Sequence, residues 1–235
     1  MFDVVILAGG LGTRLRSVVS DLPKCMAPVA GRPFLAWILQ WLEKYDNAGT
    51  IVLSLGYKSH AVTDWIESDS RFSSLSIDWV IEETPLGTGG GMGLAMSKVK
   101  ADRAIVLNGD TFFDVDLNSF IAFGKRKDTP LAVALKPMTA FDRYGSVTLA
   151  DDGRIVSFNE KGWCDRGLIN GGVYCIDPCA GLFEGMPHSF SFEKEILEPM
   201  SRENSLYGFV SEGPFIDIGI PEDYARAQTF LPANI

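Results

Sequence analysis

MFDVVILAGGLGTRLRSVVSDLPK (residues 1–24) runs from a short apolar, β-branched segment into a loop with three glycines, two arginines and a lysine. A run of that length bounded by glycine reads as a buried first strand. The loop therefore sits past the carboxyl end of a strand, where open α/β sheets bind their ligands. Three phosphate-binding patterns compete for it. A dinucleotide fingerprint starting at Gly10 needs a third small residue and meets Leu15 instead, and a P-loop starting at Gly9 or Gly10 finds no lysine at the required spacing. What remains is G-G-x-G-T-R with Lys24 ten residues after Arg14. Glycine backbone can bring N–H groups against a polyphosphate. Arg14 adds a two-pronged fork and Lys24 a mobile point charge. The plainer alternative is a glycine-rich turn with two solvated cations, and the strand-end position argues against it.

Beyond this segment, β-branched runs alternate with helical patterns: PFLAWILQWLEKY, TIVLSL, HAVTDWIES, SIDWVIE, GTGGGMGLAMSKV and RAIVLN. That alternation predicts an α/β protein, a Rossmann-like, doubly wound and mostly parallel sheet. After Thr129 the pattern changes to PLAVALKP, GSVTLADDGRIVSFNEK and INGGVYCID, and Asp152-Gly153 between two alternating runs predicts a hairpin within a small antiparallel insertion. Pro221, ahead of two acids in PEDYARAQTFL, suits the first turn of a closing helix. Residues 1–235 read as a single domain, because no Gly/Ser-rich or Pro-rich linker divides them.

The net charge of −9 argues against a nucleic-acid groove, which requires clustered Lys and Arg. No apolar run approaches the ~20 residues of a membrane span. The N-terminal segment carries Asp3 and no basic leader, so a cytoplasmic protein is expected, with no membrane partner. Cys25, Cys164, Cys175 and Cys179 lack the paired spacing of a zinc site and read as free thiols. KRKD (125–128) is the only charge run and reads as a solvated helix end. Trp37 with Trp41, and Met92 with Met96, fall at helical spacing and read as core.

Four strand-end places carry unusual chemistry: residues 9–24, 82–91, 108–110 and 215–217. His60 and His188, the only histidines, have no acid partner or strand-end glycine nearby in sequence, so no nucleophilic triad assembles. Asp114-Val115-Asp116 is a D-x-D, the metal motif of many glycosyltransferases. It comes too late after the strand, however, and Asp116 reads as a helix N-cap.

LAGGLGTRLRSVVSDLPKCMAPVAGRPFL, PLGTGGG, LNGD, RYGSV, FNEK, INGGVY and FIDIGIPEDY together resemble the sugar-1-phosphate nucleotidyltransferases over nearly the whole chain. Many members follow the arginine with Leu-x-Pro-Leu-Thr. Here Leu15-Arg16-Ser17-Val18-Val19 stands instead, a variant that with PKCMAP resembles the heptose 1-phosphate guanylyltransferase branch. The resemblance implies a GT-A-like nucleotidyltransferase fold, with residues 1–128 mainly nucleotide-binding and 129–235 mainly sugar-phosphate-binding. It implies GTP and a sugar 1-phosphate as partners and Mg²⁺ as cofactor, and leaves the oligomeric state open, a homodimer included.

The implied reaction needs no general base, because the attacking phosphate oxygen is already ionised. It needs cations to bring two anions together. By resemblance Arg14 and Lys24 act at the reaction centre, and Asp110 and Asp217 hold the metal. The nucleotide would be bound by Leu7, Gly9, Gly10, Gly12, Thr13, Glu82, Pro85, Gly87, Thr88, Asn108 and Gly109. The sugar phosphate would be bound by Tyr144, Gly145, Glu160, Lys161, Asn170 and Gly171. The turn at 87–90 would leave room for a flat base against glycine backbone. Glu82, or its neighbour Glu83, bears on the base: a carboxylate only accepts, and guanine offers it two adjacent donors where uracil and thymine offer one between acceptor oxygens. Mannose 1-phosphate guanylyltransferase and uridylyl- or thymidylyltransferase remain alternatives. Further off stand a GT-A glycosyltransferase and a catalytically silent subunit, which would not need the cations and acids present here.

Overall fold

The computed structural model describes residues 1–10, 15, 19 and 21–235. Strand β1 (Phe2–Leu7) is followed by a small hairpin, β2 (Pro28–Val29) and β3 (Arg32–Pro33), and by helix α1 (Phe34–Leu42). Then come β4 (Ala48–Leu55), α2 (Ser59–Ser68), β5 (Ser76–Ile81), α3 (Gly87–Met96) and β6 (Ala104–Asn108). A short β7 (Thr111–Phe113) and α4 (Leu117–Lys127) lead into β8 (Leu131–Phe141), β9 (Gly145–Leu149), β10 (Ile155–Lys161) and β11 (Cys164–Ile176). A π-helical turn, Glu193–Leu197, runs into α5 (Glu198–Arg202), and the chain continues through β12 (Tyr207–Val210), β13 (Phe215–Asp217) and α6 (Pro221–Asn234).

The main sheet has the order β10-β9-β11-β6-β1-β4-β5, with β8 beside β11 and β12 beside β8. Its β6-β1-β4-β5 half is parallel, as the alternating runs predict. Strand β1 shows why: Val4 and Ile6 pack into the core on one face, Val5 into the core on the other. Burial on both faces gives the continuous apolar run of a parallel strand. Strand β11 joins the antiparallel part to this half, pairing with β6, β8 and β9. Its register shifts between Asn170 and Tyr174, where Gly172 adopts φ +70° and a Cβ would lie 2.6 Å from the Asn108 side chain. Only glycine lets β11 cross the end of β6 there.

Helix α1 is buried except at Gln40, with Trp37 and Trp41 in the core as their spacing predicts. The Trp41 indole donates to Asp114 Oδ1 at 2.8 Å, and Asp116 caps α4 by accepting from the Asn118 and Ser119 N–H groups. Both acids of the D-x-D are thus engaged in structure. Met92 lies in the second core cluster with Met96 at its edge. The β9–β10 hairpin turns at Asp152-Gly153, and α6 opens on Pro221. No helix among the described residues is long and apolar enough to cross a membrane.

Candidate active site

The carboxyl ends of β1, β4, β5 and β6 open onto a cleft of about 770 Å³. Leu7, Gly9, Gly10, Glu82, Pro85, Gly87, Thr88, Asn108 and Gly109 line it, together with Lys24 and Asp110. Gly12, Thr13 and Arg14 lie outside the described residues. Backbone bonds from Ala8 N–H to Ser54 C=O (2.8 Å) and from Gly109 N–H to Leu7 C=O (2.9 Å) lock three strand ends into one rim.

The two acids are brought together by a second, small sheet. Strand β7 pairs antiparallel with β13, setting Thr111 opposite Asp217, and Ile218 N–H donates to Asp110 C=O at 3.0 Å. Lys24, its side chain 12% exposed, places Nζ 2.5 Å from Asp110 Oδ2 and 3.7 Å from Asp217 Oδ1. Asp217 also accepts from Gly219 N–H at 2.6 Å. Burial pushes the Asp217 carboxyl above the usual carboxylate range, and the negative charge of Asp110 adds to the shift while Lys24 opposes it. Two carboxylates converging on one cation fit a hard divalent ion. Such an ion takes one or two carboxylates and fills its remaining positions with water and substrate phosphate. Among the described residues no group of three or more His, Cys, Asp and Glu forms an all-protein cage.

At the opposite end of the cleft, Glu82 follows β5. Its Oε2 accepts from Leu86 N–H at 3.1 Å, and Ser54 Oγ lies 3.4 Å from its Oε1. A Cβ at Gly9 or Gly91 would come within 2.6 or 2.5 Å of that same Oε1, so the carboxylate fills the space those glycines leave. Gly89 and Gly90 differ from expectation. The room they provide is taken by the chain's own residues 188–190, since a Cβ on Gly89 would strike the Phe190 ring and one on Gly90 would lie 2.5 Å from the His188 carbonyl.

The residues expected at the sugar phosphate are spread more widely, and none lines the cleft. Tyr144 stands edge-on to Phe215 of β13, with ring centroids 6.0 Å apart. Burial pushes its phenol up to about 12, with Asp217 adding to the shift. Arg143 ties this loop to Asp223 at the start of α6. Gly145 pairs with Lys161 across the hairpin, where Glu160 and Lys161 are exposed. Gly171 abuts the Phe113 ring. The Asn170 amide donates to Tyr174 Oη at 3.0 Å and accepts from Gly172 N–H at 2.9 Å. Sequence reasoning misses Tyr174, and also Ser54 and Gly56, which line the cleft at the end of β4 and just past it. The strand-end rule that found the other loops could have found that last pair. Glu193, which also lines the cleft, carries no such signal because it opens a helical turn.

A family model described as Nucleotidyl transferase matches residues 3–234. The chain belongs to the nucleotidyl transferase family. This nucleotidyl transferase is 43% identical over 229 residues to the D-glycero-alpha-D-manno-heptose 1-phosphate guanylyltransferase of Aneurinibacillus thermoaerophilus, an alignment covering 97% of this chain and 98% of that one. It is 39% identical over 222 residues to the enzyme so described from Campylobacter jejuni, covering 94% and 96%. Among solved structures, HddC from Yersinia pseudotuberculosis complexed with GMP-PN superposes with a TM-score of 0.85 at 39% identity, covering 97% of this nucleotidyl transferase and 98% of that chain. The α/β fold with its mostly parallel centre is the one expected from the alternating runs.

Proposed function

We propose that the protein is a guanylyltransferase that joins GTP and D-glycero-α-D-manno-heptose 1-phosphate to give GDP-heptose and pyrophosphate. The observation that carries the reading is Lys24 set between Asp110 and Asp217, with Lys24 and Asp110 lining a cleft of about 770 Å³ at the strand ends. The near end-to-end likeness to heptose 1-phosphate guanylyltransferases supports the choice of base and sugar.

In this reading an oxygen of the sugar phosphate attacks the α-phosphorus of GTP, a new P–O bond forms, and the bond to the β-phosphate oxygen breaks as pyrophosphate leaves. The attacking oxygen is already anionic, so no side chain removes a proton. Two anions must meet in the cleft, and their repulsion is the barrier the residues address. Arg14 and Lys24 neutralise the phosphates. Asp110 and Asp217 would hold Mg²⁺, which when bound would supply further neutralisation of phosphate charge. Leu7, Gly9, Gly10, Asn108 and Gly109 bound the nucleotide on the β1 and β6 side, and Pro85, Gly87 and Thr88 on the α3 side, with Glu82 accepting from guanine; Gly12 and Thr13 are assigned to the nucleotide from the sequence motif alone. Tyr144, Gly145, Glu160, Lys161, Asn170 and Gly171 receive the sugar phosphate. Residues 1–128 thus serve mainly the nucleotide and 129–235 mainly the sugar phosphate, and the need for GTP places the work in the cytoplasm.

The test is pyrophosphate release measured across a grid of nucleoside triphosphates and sugar 1-phosphates with Mg²⁺. GTP with the manno-configured heptose is expected to give the highest kcat/KM. Equal values for heptose and mannose 1-phosphate overturn the choice of sugar, and equal turnover of UTP or dTTP overturns the choice of base.

A further inference from the structure

Residues 188–193 lie outside every strand and cross the amino-terminal turn of α3 before winding into the π-helical turn. Their bonds to residues 85–89 are nearly continuous. Ser189 Oγ donates to Pro85 C=O (3.2 Å), Phe190 N–H to Leu86 C=O (2.9 Å), Gly89 N–H to Phe190 C=O (3.0 Å) and Phe192 N–H to Thr88 Oγ1 (2.9 Å). The seam closes on Glu193, whose Oε2 accepts from Thr88 Oγ1 at 2.7 Å and from Ser191 Oγ at 2.9 Å. From the other side, Glu82 accepts from Leu86 N–H at 3.1 Å. The turn that walls the cleft is therefore gripped between two carboxylates, and both line the cleft.

Thr88 makes the point sharper. A threonine hydroxyl has one hydrogen, and here Glu193 receives it, so the Thr88 side chain has no donor left for a nucleotide. Its contribution to the pocket is its place in the wall, and Glu193 sets that place. We infer that Glu193 is a positioning residue for nucleotide binding: through Thr88 it fixes residues 85–89 against Glu82 and so sets the fit of the base. The inference rests on the reading proposed above that this cleft binds the nucleotide; it does not depend on which base is chosen.

An amide oxygen can accept both hydroxyls as a carboxylate does, whereas alanine leaves both without an acceptor. In steady-state assays of the full-length protein, Glu193→Ala is expected to raise KM for the preferred nucleotide about tenfold or more, the loss typical of a hydrogen bond to a charged acceptor, with kcat changed less than about threefold. Selectivity over the other nucleoside triphosphates should narrow with it, and Glu193→Gln should restore most of the loss. Thr88→Val should reproduce the alanine variant with Glu193 intact, and the double variant should be no worse than either single one. A lowered Tm with unchanged KM and selectivity overturns the inference in favour of a purely structural strap. A Gln variant as damaged as Ala overturns it in favour of a direct charge contact, and full additivity overturns the route through Thr88. All values are taken with whichever triphosphate the protein prefers. A preference other than GTP would therefore overturn the guanine reading alone.

Discussion

Lys24 and Asp110 are 86 residues apart in the chain and 2.5 Å apart across the floor of the cleft. With Asp217 Oδ1 at 3.7 Å, the ammonium stands between two carboxylates, the position a divalent cation would also favour. In the proposed reaction one side chain thus faces two demands, neutralising the acids and neutralising the phosphates.

Replacing Lys24 by Met separates those demands. Turnover should fall by orders of magnitude while KM for GTP changes little, because the charge matters most as the phosphates meet. Without the competing ammonium, Mn²⁺ should bind the nucleotide-free protein about tenfold more tightly, as electron paramagnetic resonance would read. A rise in KM alone makes Lys24 only a binding residue, and unchanged Mn²⁺ affinity means that ammonium and metal do not share the site.

Asp110→Asn and Asp217→Asn should each lower kcat about 10²- to 10³-fold, the scale seen when one group stabilising transition-state charge is removed. Tm should hold, since an amide oxygen in place of the Asp217 carboxylate can still accept from Gly219 N–H, and the repulsion between Asp110 and Asp217 disappears. Either variant keeping near-normal Mg²⁺-dependent turnover removes these acids from the metal site.

Glu82→Gln is a narrow change, because the amide oxygen can still accept from Leu86 N–H and hold the turn. What it loses is the charge and the second carboxylate acceptor, which in the proposed reading faces the base. Discrimination of GTP against UTP and dTTP should shrink by about 1–3 kcal/mol in competing kcat/KM values, with the fold unaffected. Unaltered discrimination would leave Glu82 as a turn residue.

The thiols give an independent check on the packing. Burial pushes Cys25 and Cys175 up to about 12, so neither holds appreciable thiolate at neutral pH. Cys179 is exposed and should react first with a thiol reagent, whereas Cys25 and Cys175 should react only on unfolding in guanidinium. Rapid modification of Cys25, which borders the cleft, would mean that the floor opens in solution.

Much of the cleft's lining is legible in the sequence because it is local. Gly9, Glu82 and Asn108 all sit at or within two residues of the carboxyl end of a parallel strand. Asp217 was legible as a strand-end acid, but its partner strand was not, since the pairing of β13 with β7 is a long-range contact with no local signature. Glycine was the less faithful guide. Gly89 and Gly90 do mark a close approach, but by Phe190 and His188 of the same chain, and no periodicity announces which neighbour a missing Cβ admits.

The β7–β13 pair has a consequence for how the protein is made. Synthesis runs from amino to carboxyl terminus, and early segments can begin to fold while later ones are still being translated. The glycine loop, Lys24, Glu82 and Asp110 all leave the ribosome well before Asp217. A nascent chain can therefore shape most of the cleft's cradle of strand ends while Lys24 has only one of its two carboxylates to face. The cradle is assembled first, and the strand that arms it arrives late.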